Sequence, residues 1–248
     1  MINKSGFISE VLIDIKKENI NQYPYNLNVL KNLSKLVLDE NVTFLVGENG
    51  TGKSTLIEAI AIAYGFNPEG GSVNFNFSTR FSSSQLHKNI KIKKTLNHPK
   101  DGYFLRAESF YNVATNIEEM DDVPSEAPKV IGSYGGKSLH EQSHGESFLA
   151  LFLHRFRQNG FYILDEPEAA LSVEGQLTFV ARLHELVKNH SQFLIATHSP
   201  IILAYPNSTI YEIGDNGLKR STYEDTEQYK FIKLFVDHYP NILKKIME

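Results

Sequence analysis

The chain has 248 residues, 41% hydrophobic and 22% charged, with 25 Lys plus Arg against 29 Asp plus Glu for a formal charge of −4. That length and composition suit one large α/β domain or two tightly joined lobes with a substantial core, and exclude a disordered chain or one that coats nucleic acid by bulk charge. The absence of cysteine excludes disulfide scaffolds, cysteine-zinc ribbons, iron–sulfur clusters and thiol catalysis.

The first segment, MINKSGFISEVLIDIKK, alternates apolar and polar residues and carries Glu10 and Asp14, so it reads as a strand and not as a secretory signal. Residues 42–46 (VTFLV) are continuously apolar, as expected of a strand covered on both faces. Residues 54–64 (STLIEAIAIAY) predict a buried helix, and 65–71 break the pattern. VNFNF, NIKIKKTL and GYFLRAES, within residues 73–108, predict antiparallel strands with one wet face. Residues 115–126 are acidic and end in prolines, and 132–136 read as a flexible hinge or loop. Residues 148–158 predict a helix, 161–164 a buried strand, 174–188 an amphipathic helix and 192–196 another strand, an alternation that argues for a parallel sheet. A hairpin is expected from 209–213 and 218–222, then a helical tail over 225–247 broken at Pro240. The longest relevant apolar run, 148–153, stops at His154 and Arg155, far short of the ~20 residues that span a bilayer, and the expected compartment is the cytoplasm.

Gly47-Glu48-Asn49-Gly50-Thr51-Gly52-Lys53-Ser54-Thr55 fits G-x-x-x-x-G-K-[ST] and lies between a buried strand and a helix. Glycines let consecutive N–H groups turn inward around phosphate oxygens, and the helix N-terminus adds partial positive charge. Asn49, Gly50, Thr51, Gly52, Lys53, Ser54 and Thr55 are the nucleotide-binding candidates. Lys53 is expected to reach the β- and γ-phosphates and Ser54 to ligate magnesium. Tyr-Ile-Leu-Asp165-Glu166-Pro167 places two carboxylates at a strand end, Asp165 for magnesium and Glu166 as general base toward the attacking water.

Ser143-His144-Gly145-Glu146-Ser147 precedes an apolar helix and offers a second anion site; an ordinary helix cap is the alternative. Ala169-Ala170-Leu171-Ser172 follows the acidic turn, and Thr197-His198-Ser199-Pro200 ends a strand. In this order, His198 is expected to hydrogen-bond a γ-phosphate and the attacking water.

Through GENGTGKST, SHGES, YILDEP, EAALS and IATHS the sequence resembles the ABC-type ATPases, in the branch that includes the SMC and RecF proteins. More closely it resembles small stand-alone bacterial ATPases carrying SHGES, LDEPEAALS and ATHSPI. The resemblance covers nearly the whole chain. It implies an α/β P-loop NTPase, ABC-ATPase-like, with an antiparallel β subdomain and a small helical lobe. The expected division is a single domain over 1–248, with 1–109 and 159–248 as nucleotide-binding lobe and 110–158 as helical, signature-bearing lobe. It further implies ATP and Mg2+ as cofactors and a head-to-tail homodimer. Each nucleotide would touch Lys53 and Ser54 of one copy and Ser143, Gly145 and Glu146 of the other, so that ATP gates association and Glu166, His198 and Lys53 carry hydrolysis. DNA repair or phage defence, with a nucleic-acid or effector partner, is the expected setting. The alternatives are the nucleotide-binding subunit of a transporter and a non-hydrolysing ATP sensor. The signature departs from the transporters' LSGGQ at His144 and Glu146, and no glutamine follows the first helix where the family has one, so Glu108 is assigned its magnesium-binding role. No heptad pattern occupies residues 55–142, so a head without coiled-coil arms is expected.

Two further patterns compete for attention. His140-Glu141-Gln142-Ser143-His144 matches the H-E-x-x-H zinc protease motif, with Glu166 as a conceivable third ligand. That motif needs an uninterrupted helix, and Gly135-Gly136 and Gly145 crowd it on both sides. His87, Lys88, Lys91, Lys93, Lys94, His98 and Lys100 form a basic run, either a nucleic-acid face or the solvated face of a strand pair. Tyr23 and Tyr25, upstream of the phosphate loop, are the aromatics available for an adenine ring.

Overall fold

The structure, a computed structural model, describes residues 6–15, 21–73, 84–107, 110–122 and 129–248. In chain order its elements are β1 (Ile8–Ile13), β2 (Lys35–Val37), β3 (Val42–Gly47), α1 (Lys53–Tyr64), β4 (Ile90–Lys94), β5 (Asp101–Arg106), α2 (Phe110–Asp122), α3 (His144–Ala150), β6 (Gly160–Asp165), α4 (Val173–Lys188), β7 (Gln192–Ala196), α5 (Pro200–Leu203), β8 (Thr209–Gly214), β9 (Gly217–Ser221) and α6 (Glu227–Met247).

The strands form two sheets, one of three strands in the order β2-β1-β4 and one of six in the order β5-β6-β7-β3-β8-β9. The small sheet is antiparallel throughout. In the large sheet β5, β6, β7, β3 and β8 are parallel and β9 closes one edge as a hairpin. Parallel strands need cover on both faces, which is why β3, β6 and β7 are apolar along nearly their whole length and buried at every position. Alternate residues feed two cores. Phe44, Tyr162 and Ile195 face α2, α3, α4 and α5, whereas Leu45, Ile163 and Leu194 face α1 and the small sheet. Each large apolar side chain buried in this way contributes about 1.5–3 kcal/mol.

This is the expected α/β fold of P-loop NTPase type with an antiparallel sheet beside it, and several elements depart from the sequence reading. GYFLRAES does not join an antiparallel pair: β5 is the edge strand of the large sheet and runs parallel to β6. VNFNF falls almost wholly in 74–83, outside the described residues. Residues 132–136, read as a hinge or loop, close the 3-10 turn Val130–Tyr134, with Tyr134 buried and Gly135 and Gly136 exposed in the left-handed region at φ 94° and 76°. The helix expected over 148–158 begins earlier, at His144, and after Ala150 widens into a π-helical turn, Leu151–Arg155. Arg155 at its end pairs with Asp101 of β5 at 2.8 Å, which pins this segment to the sheet edge. The expected break in the tail is present: His238 leaves helical geometry (φ −134°, ψ 16°) two residues before Pro240, which cannot supply an N–H to the ladder. Among the described residues no helix is long and apolar enough to cross a membrane.

Of the basic run, Lys91, Lys93 and Lys94 lie on β4, the edge strand of the three-stranded sheet, whereas His87 and Lys88 sit in the 3-10 turn Gln85–Asn89 before it and His98 and Lys100 in the connection after it. Lys93 pairs with Glu10 of β1 at 3.2 Å, and the Lys94 ammonium sits 4.8 Å from the centre of the Tyr64 ring. Lysines on an edge strand guard it against pairing with another chain.

Candidate nucleotide site

Register brings the site together. Leu45 of β3 lies beside Ala196 of β7, and Ala196 beside Asp165 of β6, so three neighbouring strands end level with one another. The loop after β3, the acidic turn after β6 and the histidine after β7 therefore share one rim, at the carboxyl ends where ligands of open α/β sheets bind.

The loop leaves β3 and enters α1 through Gly52, in the left-handed region at φ 98°. A Cβ there would also meet Val29 Cγ1 at 2.8 Å, so both backbone and space demand glycine. The segment before β2 braces the loop, since Val29 N–H donates to Thr51 O at 3.0 Å. Lys53 is 4% exposed and its ammonium donates to Gly47 O (2.8 Å) and Glu48 O (2.9 Å), curling the loop around its own cation. Burial lowers its pKa from the ordinary lysine value, and Glu166, Asp165 and Glu168 act in the opposite direction. Ser54 Oγ donates to Asp165 Oδ1 at 3.1 Å. That bond joins the phosphate loop to the acidic strand end across 111 residues of sequence.

Glu166 holds φ at 53°, a region uncommon for a non-glycine residue and further disfavoured before Pro167. Its N–H bonds to Ala196 O at 2.9 Å, which fixes the turn against β7. Its carboxylate lies 3.6 Å from His198 Nε2, a nitrogen that is buried without a hydrogen-bond partner. Burial, and then the Lys53 ammonium, lower the His198 pKa below 6.5, while Glu166 and Glu168 oppose the shift. The folded ring therefore resists protonation that the unfolded ring accepts, so this residue's contribution to stability falls as pH drops below 6.5. In an NMR titration its ring carbons are expected to show a midpoint below 6.5, moved lower still in Glu166→Gln. A midpoint above 6.5 would contradict this environment.

Glu168 is the residue that sequence reasoning missed. One oxygen accepts from Thr197 Oγ1 at 2.8 Å and the other from His198 N–H at 2.5 Å, so a single carboxylate brackets the turn that carries the histidine. Ser199 Oγ then caps α5 through Ile201 and Ile202 N–H, with Pro200 at its first position. The available signal was a third carboxylate close after Asp-Glu-Pro, with nothing local to name its partners. Glu168→Ala is expected to cost about 1–3 kcal/mol by leaving both donors unpaired. It should lower turnover more than it raises KM for nucleotide. Urea unfolding and steady-state kinetics check both parts.

Ser143 is the N-cap of α3 in a complete capping box. Ser143 Oγ accepts from Glu146 N–H at 3.3 Å, and the Glu146 carboxylate accepts from Ser143 N–H (2.9 Å) and Ser143 Oγ (2.7 Å). These bonds, side chain first, hold the Glu146 carboxyl below its ordinary pKa. Ser143 and Glu146 thus have a local role that the S-x-x-E spacing itself signals. Gly145 packs against the turn after β6, where an added Cβ would lie 2.9 Å from Ala170 O. The motif His140-Glu141-Gln142-Ser143-His144 is not one helix: Leu139–Glu141 is a 3-10 turn, and Ser143 is an extended cap before α3. The zinc protease geometry is therefore not formed. Glu108 lies outside the described residues. The Tyr25 hydroxyl is committed to Asn89 Oδ1 at 2.9 Å, while Tyr23 is exposed.

The profile of the AAA domain family AAA_23 matches residues 14–167, more than half of the chain. The chain belongs to this AAA domain family. The match takes in the phosphate loop, the capping box and the acidic strand end, and stops at Pro167. The AAA domain chain is 26% identical over 230 residues to the tungstate uptake system ATP-binding protein TupC of Campylobacter jejuni (85% of this chain, 69% of the relative). It is also 26% identical over 246 residues to the energy-coupling factor transporter ATP-binding protein EcfA of Methanocaldococcus jannaschii (90% and 86%). Among solved structures, the SMC head domain from Thermotoga maritima aligns at a TM-score of 0.43 and 16% identity, covering 87% of this chain and 98% of that one.

Proposed function

We propose that the chain is an ABC-type ATPase whose magnesium-dependent hydrolysis of ATP is coupled to head-to-tail dimerisation. The observation that carries the reading is the Ser54 Oγ–Asp165 Oδ1 bond of 3.1 Å, with Glu166 and His198 on the same rim. Two relatives named as ATP-binding proteins support the choice of nucleotide.

Residues 49–55 hold the phosphates through backbone N–H groups, and Lys53 turns from its loop carbonyls toward the β- and γ-phosphates. A hydroxyl and a carboxylate oxygen within hydrogen-bond distance form a hard donor pair that suits Mg2+, so Ser54 and Asp165 would hold it, with Glu108 as a further candidate. When bound, that cation neutralises charge on the transferring phosphoryl group. Glu166 accepts the proton of the attacking water, and His198, kept neutral, donates to the γ-phosphate from Nε2. Ser143, Gly145 and Glu146 of a second copy close over the nucleotide once the capping box opens, so triphosphate joins two chains and hydrolysis releases them. In this reading 1–109 and 159–248 are the nucleotide-binding lobe, and 110–158 is the lobe that reaches across.

Release of phosphate from ATP with magnesium, lost in Lys53→Ala, tests the enzymatic half. The names of the relatives favour one further reading, the nucleotide-binding subunit of a transporter, which would show itself as stable co-purification with a membrane-embedded subunit. Proteins retained on hydrolysis-deficient protein in ATP would identify the process served, DNA repair and phage defence among them.

A further inference from the structure

Helix α1 carries a single acidic side chain, Glu58, in a largely apolar run that follows Lys53 and Ser54. Glu58 lies four residues beyond Ser54 and so on the same helical face. Its Oε2 accepts from Arg106 Nη1 at 2.7 Å, and the Arg106 and Glu58 side chains are only 21% and 12% exposed. The backbone of Ser84 bonds to the same carboxylate. Arg106 ends β5 and is the register partner of Asp165, the last residue of β6. Just beyond, Ala107 N–H donates to Asp165 O at 3.3 Å, so the two strand ends stay level. Two rungs therefore run from one face of α1 to two neighbouring strand ends, Ser54 to Asp165 and Glu58 to Arg106.

Neighbouring strands lie about 4.8 Å apart. A guanidinium and a carboxylate thus start side by side and turn toward the same helix, and the 2.7 Å ion pair of Arg106 goes to the helix. An ion pair so far from water contributes little net stability over apolar residues of similar volume. Its place beside the two magnesium-binding candidates gives it another use. We propose that Glu58 is a positioning residue for the metal site: it draws the Arg106 guanidinium away from Asp165 and balances its charge, so that Asp165 stays open to a divalent cation.

The inference rests on the proposed reading of Ser54 and Asp165 as magnesium ligands. Arginine does not give up its proton, so without Glu58 a fixed positive charge remains one strand away from the cation. That charge repels magnesium and attracts the same carboxylate oxygens. In a partly buried site the two effects together cost about tenfold in metal affinity. They do not oppose the binding of phosphate, which a cation favours.

The probe is the β,γ-imido analogue of ATP, which is not hydrolysed, and its affinity for the full chain is measured in EDTA and in magnesium. The ratio of the two dissociation constants is the advantage that the metal confers. Glu58→Gln keeps the size of the side chain and drops its charge. It is expected to bind the analogue in EDTA as tightly as wild type or more tightly, and to lose about tenfold of the magnesium advantage. Adding Arg106→Gln should bring the advantage back to within about twofold of wild type, and Arg106→Gln alone should not reduce it. The magnesium needed for half-maximal hydrolysis should follow the same order. A purely structural pair predicts the opposite: each single variant loses, and the double variant loses at least as much. An unaltered advantage in Glu58→Gln, or a double variant no better than the single one, would overturn the proposal. Should Glu58→Gln fold poorly, Glu58→Asp, which withdraws the carboxylate by one methylene, is expected to show a smaller loss of the same kind, and no loss there overturns it equally. A wild-type chain that binds the analogue alike in EDTA and in magnesium would instead overturn the metal reading beneath it.

Discussion

Glu166→Gln is expected to lower ATP turnover by roughly 10²- to 10⁴-fold while leaving nucleotide affinity nearly unchanged. Gln keeps the size and the left-handed backbone geometry of the turn at φ 53°, and the N–H bond to Ala196 O does not involve the side chain. What is lost is a carboxylate able to accept the proton of water, 3.6 Å from His198. Lys53, Ser54 and the loop N–H groups, which bind the phosphates in the proposed mechanism, remain. The variant should therefore accumulate as an ATP-bound pair, because the bridging phosphate persists. The check is phosphate release alongside sedimentation with and without ATP, so that any dimer counted depends on ATP. A variant that stays monomeric there, with saturating ATP and magnesium, would remove the coupling from the mechanism.

Ser143→Arg is expected to abolish hydrolysis without weakening ATP binding by the isolated chain. The substitution loses a helix cap worth about 1 kcal/mol, and it fills the position proposed to receive a neighbour's γ-phosphate. The decisive form of the experiment is a mixture. Lys53→Ala lacks a working phosphate loop but keeps its cap, and Ser143→Arg has the reverse defect. In a head-to-tail pair, one of the two composite sites in each mixed dimer is intact. Two inactive proteins should thus recover partial turnover when combined, and no recovery at any ratio would mean that Ser143 acts only within its own chain.

The parts of the site that can be read without a structure are those whose chemistry is contiguous. The loop from Gly47 to Thr55 carries its strand, its glycines and its helix in one stretch, and the acidic end of β6 and the histidine after β7 each close an apolar run. The sequence could not show that β7 lies between β3 and β6, nor that Leu45, Ala196 and Asp165 are level, because strand order is set by crossovers and not by local pattern. Glu168 was illegible for the same reason: its partners lie about 30 residues away and become neighbours only through sheet order. GYFLRAES was assigned the wrong partner because it was grouped with the alternating NIKIKKTL, although Tyr103, Phe104 and Leu105 are buried in succession, as in a strand covered on both faces. The tail was read as a helix broken at Pro240, and the exposure of its apolar residues was not legible, since sequence pattern is silent on what covers a helix.

The even alignment of β3, β7 and β6 has a consequence for how the chain can vary. Side chains change face with each residue, so adding or deleting one position within β7 would rotate Phe193, Leu194 and Ile195 into the opposite cores and carry Thr197 and His198 off the rim together. Length changes can be absorbed by the connections that enter these strands, and not by the strands themselves. The histidine is thus metered from the start of β7 by a fixed count of residues, and the strand serves as a ruler as much as a wall.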